Sequence, residues 1–409
     1  MIREIRTVIL MCLLGCVTTA FCQINASSRG ETRWPFPSEL DGTMMAYDFG
    51  KTDSVVPWGD DMEPVFVCYV ARHGARYLSS EKKIDKIRQE LKKASREGNL
   101  SRYGGDFLSV IEMVDSATAG EWGALNKTGI AEEKTLGSQM YGIVPNLLKE
   151  AEVEAKATYV PRVVMTMYEL CHELTRHTSD IRISTSEGSQ YNSLLRYFKT
   201  DTAYARYIES GPWVKAYERY ADSVTPCSPA AKLFVTPPDD HKLRKLTMDM
   251  YGILQSLQAS GLTAPVGEWF TEKEFEACWS VDNLKHYYQR SVSEFSDIPA
   301  RAAAPLLRNI VTSIDDALAG RSNIQASLLF GHAETLIPLF ALMRLPGCYA
   351  PDCTPEEVAR KWKDYDISPL GANLLIVVLK DAAGVPHVAM RLNGQWLPLM
   401  KAQSLTELL

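Results

Sequence analysis

The sequence predicts an α/β protein: a central mixed sheet flanked by helices, with an inserted, mainly helical cap domain. Three observations carry that prediction. Short β-branched apolar runs alternate with longer stretches whose apolar residues recur at spacings of three and four. Two of the runs, at 64–71 and 325–330, end abruptly in histidine-containing motifs, as strands do when their carboxyl ends carry a site. Between about 187 and 290 the alternation stops and an aromatic-rich helical pattern takes over. The 409 residues are 46% hydrophobic and 23% charged, which suits a folded globular chain and excludes a disordered or fibrous one. A formal net charge of −6 argues against a nucleic-acid partner bound through a global basic field, but leaves room for a local anion site.

Residues 1–22 read as an export signal. Arg3 and Arg6 precede an apolar run, Val8–Phe21, which at about 14 residues is too short to span a bilayer. Ala20 and Cys22 put small residues before Gln23, where cleavage is expected. The rival reading takes Leu13-Leu14-Gly15-Cys16 as a lipidation box with a lipid anchor at Cys16. Either way the protein is expected to be exported (periplasm, outer surface or secreted), without a membrane span and as a monomer. Six cysteines follow the leader, and Cys348 and Cys353, bracketing a proline-containing loop, are the expected disulfide.

The core is expected in two pieces, 23–186 and 291–409, with 187–290 as the cap. Pro64–Ala71 is a strand buried on both faces. Helices follow at roughly 81–97 and 105–116, and Thr128 can cap a third running towards Leu147. Glu152–Val160 reads as a strand, Val163–Thr175 as a helix, and Asp180–Thr185 as another strand. After the cap come a helix ending at Leu318, the strand Gln325–Phe330 and a helix from Thr335 to Met343. A hairpin of Asn373–Leu379 and His387–Leu392 turns at Asn393-Gly394 into Trp396–Leu399.

The first motif is Arg72-His73-Gly74-Ala75-Arg76. Two guanidinium forks within five residues suit the oxygens of a phosphoryl group, and Gly74 lets a ligand approach the backbone. Flanking cations disfavour a protonated imidazole, so His73 stays neutral and able to attack phosphorus. The second motif, His332-Ala333-Glu334, adds another imidazole and a carboxyl group immediately before the helix expected from Thr335. His172 and His177 look like part of a zinc-protease motif, but a spacing of five does not put both on one helix face, so no metal is assigned. Asn25, Asn99 and Asn126 head glycosylation triplets.

The run RHGAR after an apolar strand resembles the signature of the histidine acid phosphatases, the second branch of the histidine phosphatase superfamily. LNKTGIAEEKTLG, KATYVPRVVMTM and GHAET resemble that family's later motifs in order. The resemblance implies His73 as nucleophile and Arg72, Arg76, Arg162 and His332 as ligands of the transferred phosphate. Lys156 and Thr166 depart from the family pattern beside Arg162, which leaves Arg182 as its competitor. Where most of the family follows the second histidine with aspartate, this chain has the HAE form typical of multiple inositol polyphosphate phosphatases, which makes Glu334 the proton donor. Inositol hexakisphosphate and lower inositol polyphosphates are then the expected substrates, with no cofactor and no metal. Arg182, Arg196 and Lys199 are candidates to line a wide basic pocket between core and cap. Two alternatives stay open: a phosphatase of broad specificity or one for bisphosphoglycerate or sugar phosphates, and a non-catalytic protein that binds phosphorylated ligands.

Overall fold

The computed structural model describes residues 34–398 and 400–401; the expected leader, Cys16 and Asn25 lie outside them. Eight strands form one mixed sheet: β1 (Met62–Arg72), β2 (Glu152–Ala157), β3 (Arg182–Glu187), β4 (Ala326–Gly331), β5 (Asn373–Asp381), β6 (Pro386–Leu392), β7 (Gln395–Trp396) and β8 (Met400–Lys401). Their order is β3-β2-β4-β1-β5-β6-β7, with β8 also on β6. The four strands from β3 to β1 are parallel and the hairpin side is antiparallel.

The longer helices are α1 (Lys82–Arg96), α2 (Arg102–Thr118), α3 (Lys127–Ile143), α4 (Pro161–His177), α5 (Thr202–Ser210), α6 (Trp213–Val224), α7 (Asp240–Leu254), α8 (Glu272–Arg290), α9 (Ala304–Leu318) and α10 (Ala333–Leu342). The central strands are apolar throughout because both faces are covered. In β1, Phe66, Cys68 and Val70 join the cluster under α9 and α10, while Val67, Tyr69 and Ala71 join the one under α3 and α4. Leu374, Ile376 and Val378 of β5 split from Leu375, Val377 and Leu379 in the same way.

A further apolar cluster lies among the helices. Ile84, Ile87 and Leu91 of α1, and Phe107, Ile111 and Val114 of α2, bury against Leu246 and Met250 of α7 and Phe275 of α8. These two helices, read from sequence as core, therefore pack with residues of the inserted stretch, a pairing that only tertiary contact reveals. Conversely Tyr204, Tyr207 and Trp213 of that stretch pack into the cluster on the sheet.

Local chemistry corrects two further expectations. Asn126, not Thr128, caps α3, its side chain accepting from the Gly129 N–H at 3.0 Å. Cys348 and Cys353 are free, buried thiols packed among apolar side chains, so no disulfide closes their loop. No helix among the described residues is long and apolar enough to cross a membrane.

Candidate active site

The sheet brings the two histidine motifs together. Arg72 at the end of β1 is in register with Gly331 at the end of β4, and the His73 N–H donates to the Gly331 carbonyl at 3.2 Å. The residues that follow, His73 and His332, therefore face each other, with ring centroids 5.8 Å apart.

The loop carrying His73 is clamped from beneath by α3 and α4. Glu132 accepts from the N–H of Ala75 at 2.6 Å and of Tyr47 at 2.9 Å. Thr166 accepts from the Gly74 N–H at 3.1 Å, which gives that departure from the family pattern a structural role. Gly129 approaches so closely that a Cβ there would collide with the Ala75 carbonyl. Within this frame the Nδ1 of His73 lies 2.9 Å from the Gly74 carbonyl, which can only accept. Nδ1 is therefore the protonated nitrogen, and the Nε2 lone pair is free.

Three arginines line the same cavity as His73. The Nη1 of Arg72 donates to the carbonyls of Thr43 and Ser368, each at 2.6 Å, and that of Arg76 to the Tyr77 carbonyl at 2.8 Å. Arg162 enters from the first turn of α4, just after Pro161. The buried Nε groups of all three have no protein partner, a costly arrangement unless an anion accepts from them. Burial foremost, then the charges of Arg162, Arg72 and Arg76, hold the His73 pKa well below the ordinary histidine value. His332 is pushed down to about 3, by burial first. Both imidazoles are thus neutral, and His332 Nε2 stands 3.3 Å from the Thr158 hydroxyl.

Glu334 behaves differently. Burial alone would raise its pKa, but the charge of Arg290 above all, with a backbone N–H and the charge of Arg72, holds it below the usual carboxylate range. Arg290 Nη2 donates to Glu334 Oε1 at 3.1 Å.

Arg72, His73, Arg76, Arg162, His332 and Glu334 all line one cavity of about 520 Å³. Arg196 stands beside it: its guanidinium lies 4.7 Å from the Tyr159 ring centroid, and its charge bears on Arg162 and His332. The other two candidates lie elsewhere. Arg182 begins β3, at the amino end of the sheet, where it pairs with Glu152, so it does not compete with Arg162. Lys199 is an exposed residue of the short helix Tyr197–Thr200 and is not part of the cavity wall.

Residues that the sequence reading did not single out complete the cavity: Lys83 and Lys86 of α1, and Asp282, His286 and Arg290 of α8. The spacing of four along α8, which puts these last three on one face, was the available signal. His177 stacks on Tyr141 with centroids 4.8 Å apart, while His172 is exposed, and among the described residues no group of three or more potential ligands could hold a metal ion. Asn126 is buried and donates to the Ala259 carbonyl, and Asn99 exchanges hydrogen bonds with the Thr236 backbone, so both amides are engaged.

Comparison with known proteins agrees with this geometry. Multiple inositol polyphosphate phosphatase 1 of Homo sapiens is 22% identical over 392 residues, covering 85% of this chain and 79% of that protein. The multiple inositol polyphosphate phosphatase of Bifidobacterium longum, solved in complex with inositol hexasulfate, superposes with a TM-score of 0.75. It is 14% identical and the match covers 88% of this chain and 93% of that one. The phytase from D. castellii gives a TM-score of 0.65 at 14% identity, over 91% of this chain and 84% of that one. The model of the histidine phosphatase superfamily (branch 2) matches residues 65–393, from within β1 to the turn after β6, and the chain belongs to that family.

Proposed function

We propose that the protein is an exported phosphomonoesterase that hydrolyses inositol hexakisphosphate and lower inositol polyphosphates through a phosphohistidine on His73. The observation that carries this reading is the neutral His73, its Nδ1 committed to a carbonyl, in one cavity with three arginines whose Nε donors are unpaired. A phosphoryl group at that point accepts from Arg72, Arg76 and Arg162 while Nε2 attacks phosphorus. Glu334 gives a proton to the leaving oxygen, then takes one from the water that cleaves the Nε2–P bond. Because the arginines neutralise the charge, no step calls for a metal. The inositol polyphosphate reading is supported by the human and bifidobacterial relatives and by the cations beyond the catalytic end, Lys83, Lys86 and, beside it, Arg196.

The test is inorganic phosphate release from inositol hexakisphosphate, in a chelator, by wild type and His73→Ala. Release by wild type alone is expected, with the substitution costing on the order of 10⁴-fold or more. Release that stops with the chelator contradicts metal independence. Faster turnover of a simple monophosphate ester favours broad specificity, and silence on every ester favours a binding protein.

A further inference from the structure

Glu334 lies in the first turn of α10, with 37% of its side chain exposed, and the ion pair that fixes it reaches across from another element. Its partner Arg290 is the last residue of α8 and is 14% exposed. That helix is itself anchored at this end. The wholly buried Asp364 accepts from Trp279 Nε1 at 3.0 Å and from His286 Nδ1 at 2.7 Å, while its N–H donates to Asn283 Oδ1 at 2.9 Å. Three residues of α8 thus fix the helix whose final side chain holds the acid. Arg290 also lines the cavity with Arg72, Arg76 and Arg162, within reach of the same incoming anion.

We propose that Arg290 is a positioning residue for Glu334, holding it from across the cavity in the free enzyme and passing to a phosphate oxygen when substrate binds. This rests on the reading of Glu334 as proton donor. In the free protein Glu334 faces Arg290 from α8, Arg72 and Arg76 from the β1 end, Arg162 from α4, the neutral His332, and Tyr197 and Tyr204. Among those cations the carboxylate is ionised, so the proton destined for the leaving oxygen has to arrive with the substrate. A phosphate monoester carries one near its second ionisation, at about pH 6. Once Arg290 turns to the phosphoryl group, that proton moves to Glu334. The Nε2–P bond then forms, the ester P–O bond breaks, and the leaving oxygen takes the proton. In the second half water attacks phosphorus, its proton goes to Glu334 and the Nε2–P bond breaks; the proton then passes to the new phosphate, which leaves as its monoanion, and Glu334 is again ionised beside Arg290.

The experiment compares Arg290→Met and Arg290→Lys with wild type on an alkyl monophosphate and on 4-nitrophenyl phosphate, across pH. With general acid catalysis worth on the order of 10²–10⁴-fold, Arg290→Met is expected to lose at least about tenfold more kcat on the alkyl ester than on the aryl ester. Arg290→Lys restores most of that ratio. In Arg290→Met the alkaline limb of kcat/KM for the alkyl ester moves upward, because the carboxyl group keeps its own proton to higher pH. Equal losses on both esters with an unmoved limb would make Arg290 an ordinary phosphate ligand and overturn the proposal. If Arg290→Met does not fold, Arg290→Gln, which keeps a donor without the charge, carries the same comparison. Wild type inactive on both esters fails differently: it removes the phosphatase reading, and this proposal with it.

Discussion

The two ends of the cavity are built on different terms. At the catalytic end Arg72, His73 and His332 are at most 5% exposed and sit where adjacent strands stop, with the loop after His73 pinned by Glu132 and Thr166. At the far end Lys83 and Lys86 are exposed side chains of α1, and Lys86 is already paired with Asp249 of α7 at 3.0 Å. The first arrangement fixes atoms to the precision that bond-making needs. The second supplies charge in a general direction, which is enough to favour a highly phosphorylated substrate but sets no exact distance. Chemistry and selectivity should therefore separate under mutation.

The largest expected effect lies at the catalytic end. Glu334→Gln is expected to slow an alkyl ester by about 10²-fold or more, and an activated aryl phosphate much less, because a good leaving group needs no proton. Equal loss on both substrates would remove Glu334 from the acid role.

Next comes pH. His73 and His332 are held neutral in the fold, with pKa values below the ordinary histidine value of about 6.5 that they regain on unfolding. The unfolded chain thus binds more protons as pH falls below about 6.5, and stability is lost in that direction, down to about 3 for His332. Each histidine contributes at most about 1.4 kcal/mol per pH unit. Thermal unfolding between pH 7 and 4 should show a shallower slope in His332→Ala than in wild type. Identical slopes would mean that His332 titrates normally in the fold.

The smallest effect is expected at the far end. Lys83→Ala should raise KM for inositol hexakisphosphate severalfold and leave a monophosphate ester unchanged, since a single exposed charge is worth up to about 1 kcal/mol. Lys199→Ala, outside the cavity, should change neither. A fall in kcat on both substrates for Lys83→Ala would break the division between the two ends.

The same contrast explains what the sequence disclosed. The catalytic end is written in two contiguous motifs because two neighbouring strands deliver consecutive residues to one point, and all six residues assigned there from sequence line the cavity. The far wall combines residues of α1, α7 and α8, distant in sequence, and no local pattern joins Lys83 to His286. Arg182 lies in the first half of the expected strand 180–185 and opens β3, which places it at the amino end of a parallel strand, away from the ligand side. Asn126 and Thr128 both suit a helix cap, and what separates them is a tertiary contact: the Asn126 amide donates to the carbonyl of Ala259, 133 residues further along the chain. The loop at 348–353 looks closable in sequence, yet its two thiols are taken up by the apolar cluster instead.

The central claim is that His73 becomes covalently phosphorylated. The most direct measurement is rapid mixing with 4-nitrophenyl phosphate, an alkaline quench that preserves phosphohistidine, and mass mapping of the phosphorylated peptide, in wild type and in Glu334→Gln. A phosphoryl group is expected on His73, more abundant in Glu334→Gln because the water that cleaves it has lost its base, and absent from His73→Ala. Turnover with no covalent intermediate in either protein, or a phosphoryl group on another residue, would contradict it.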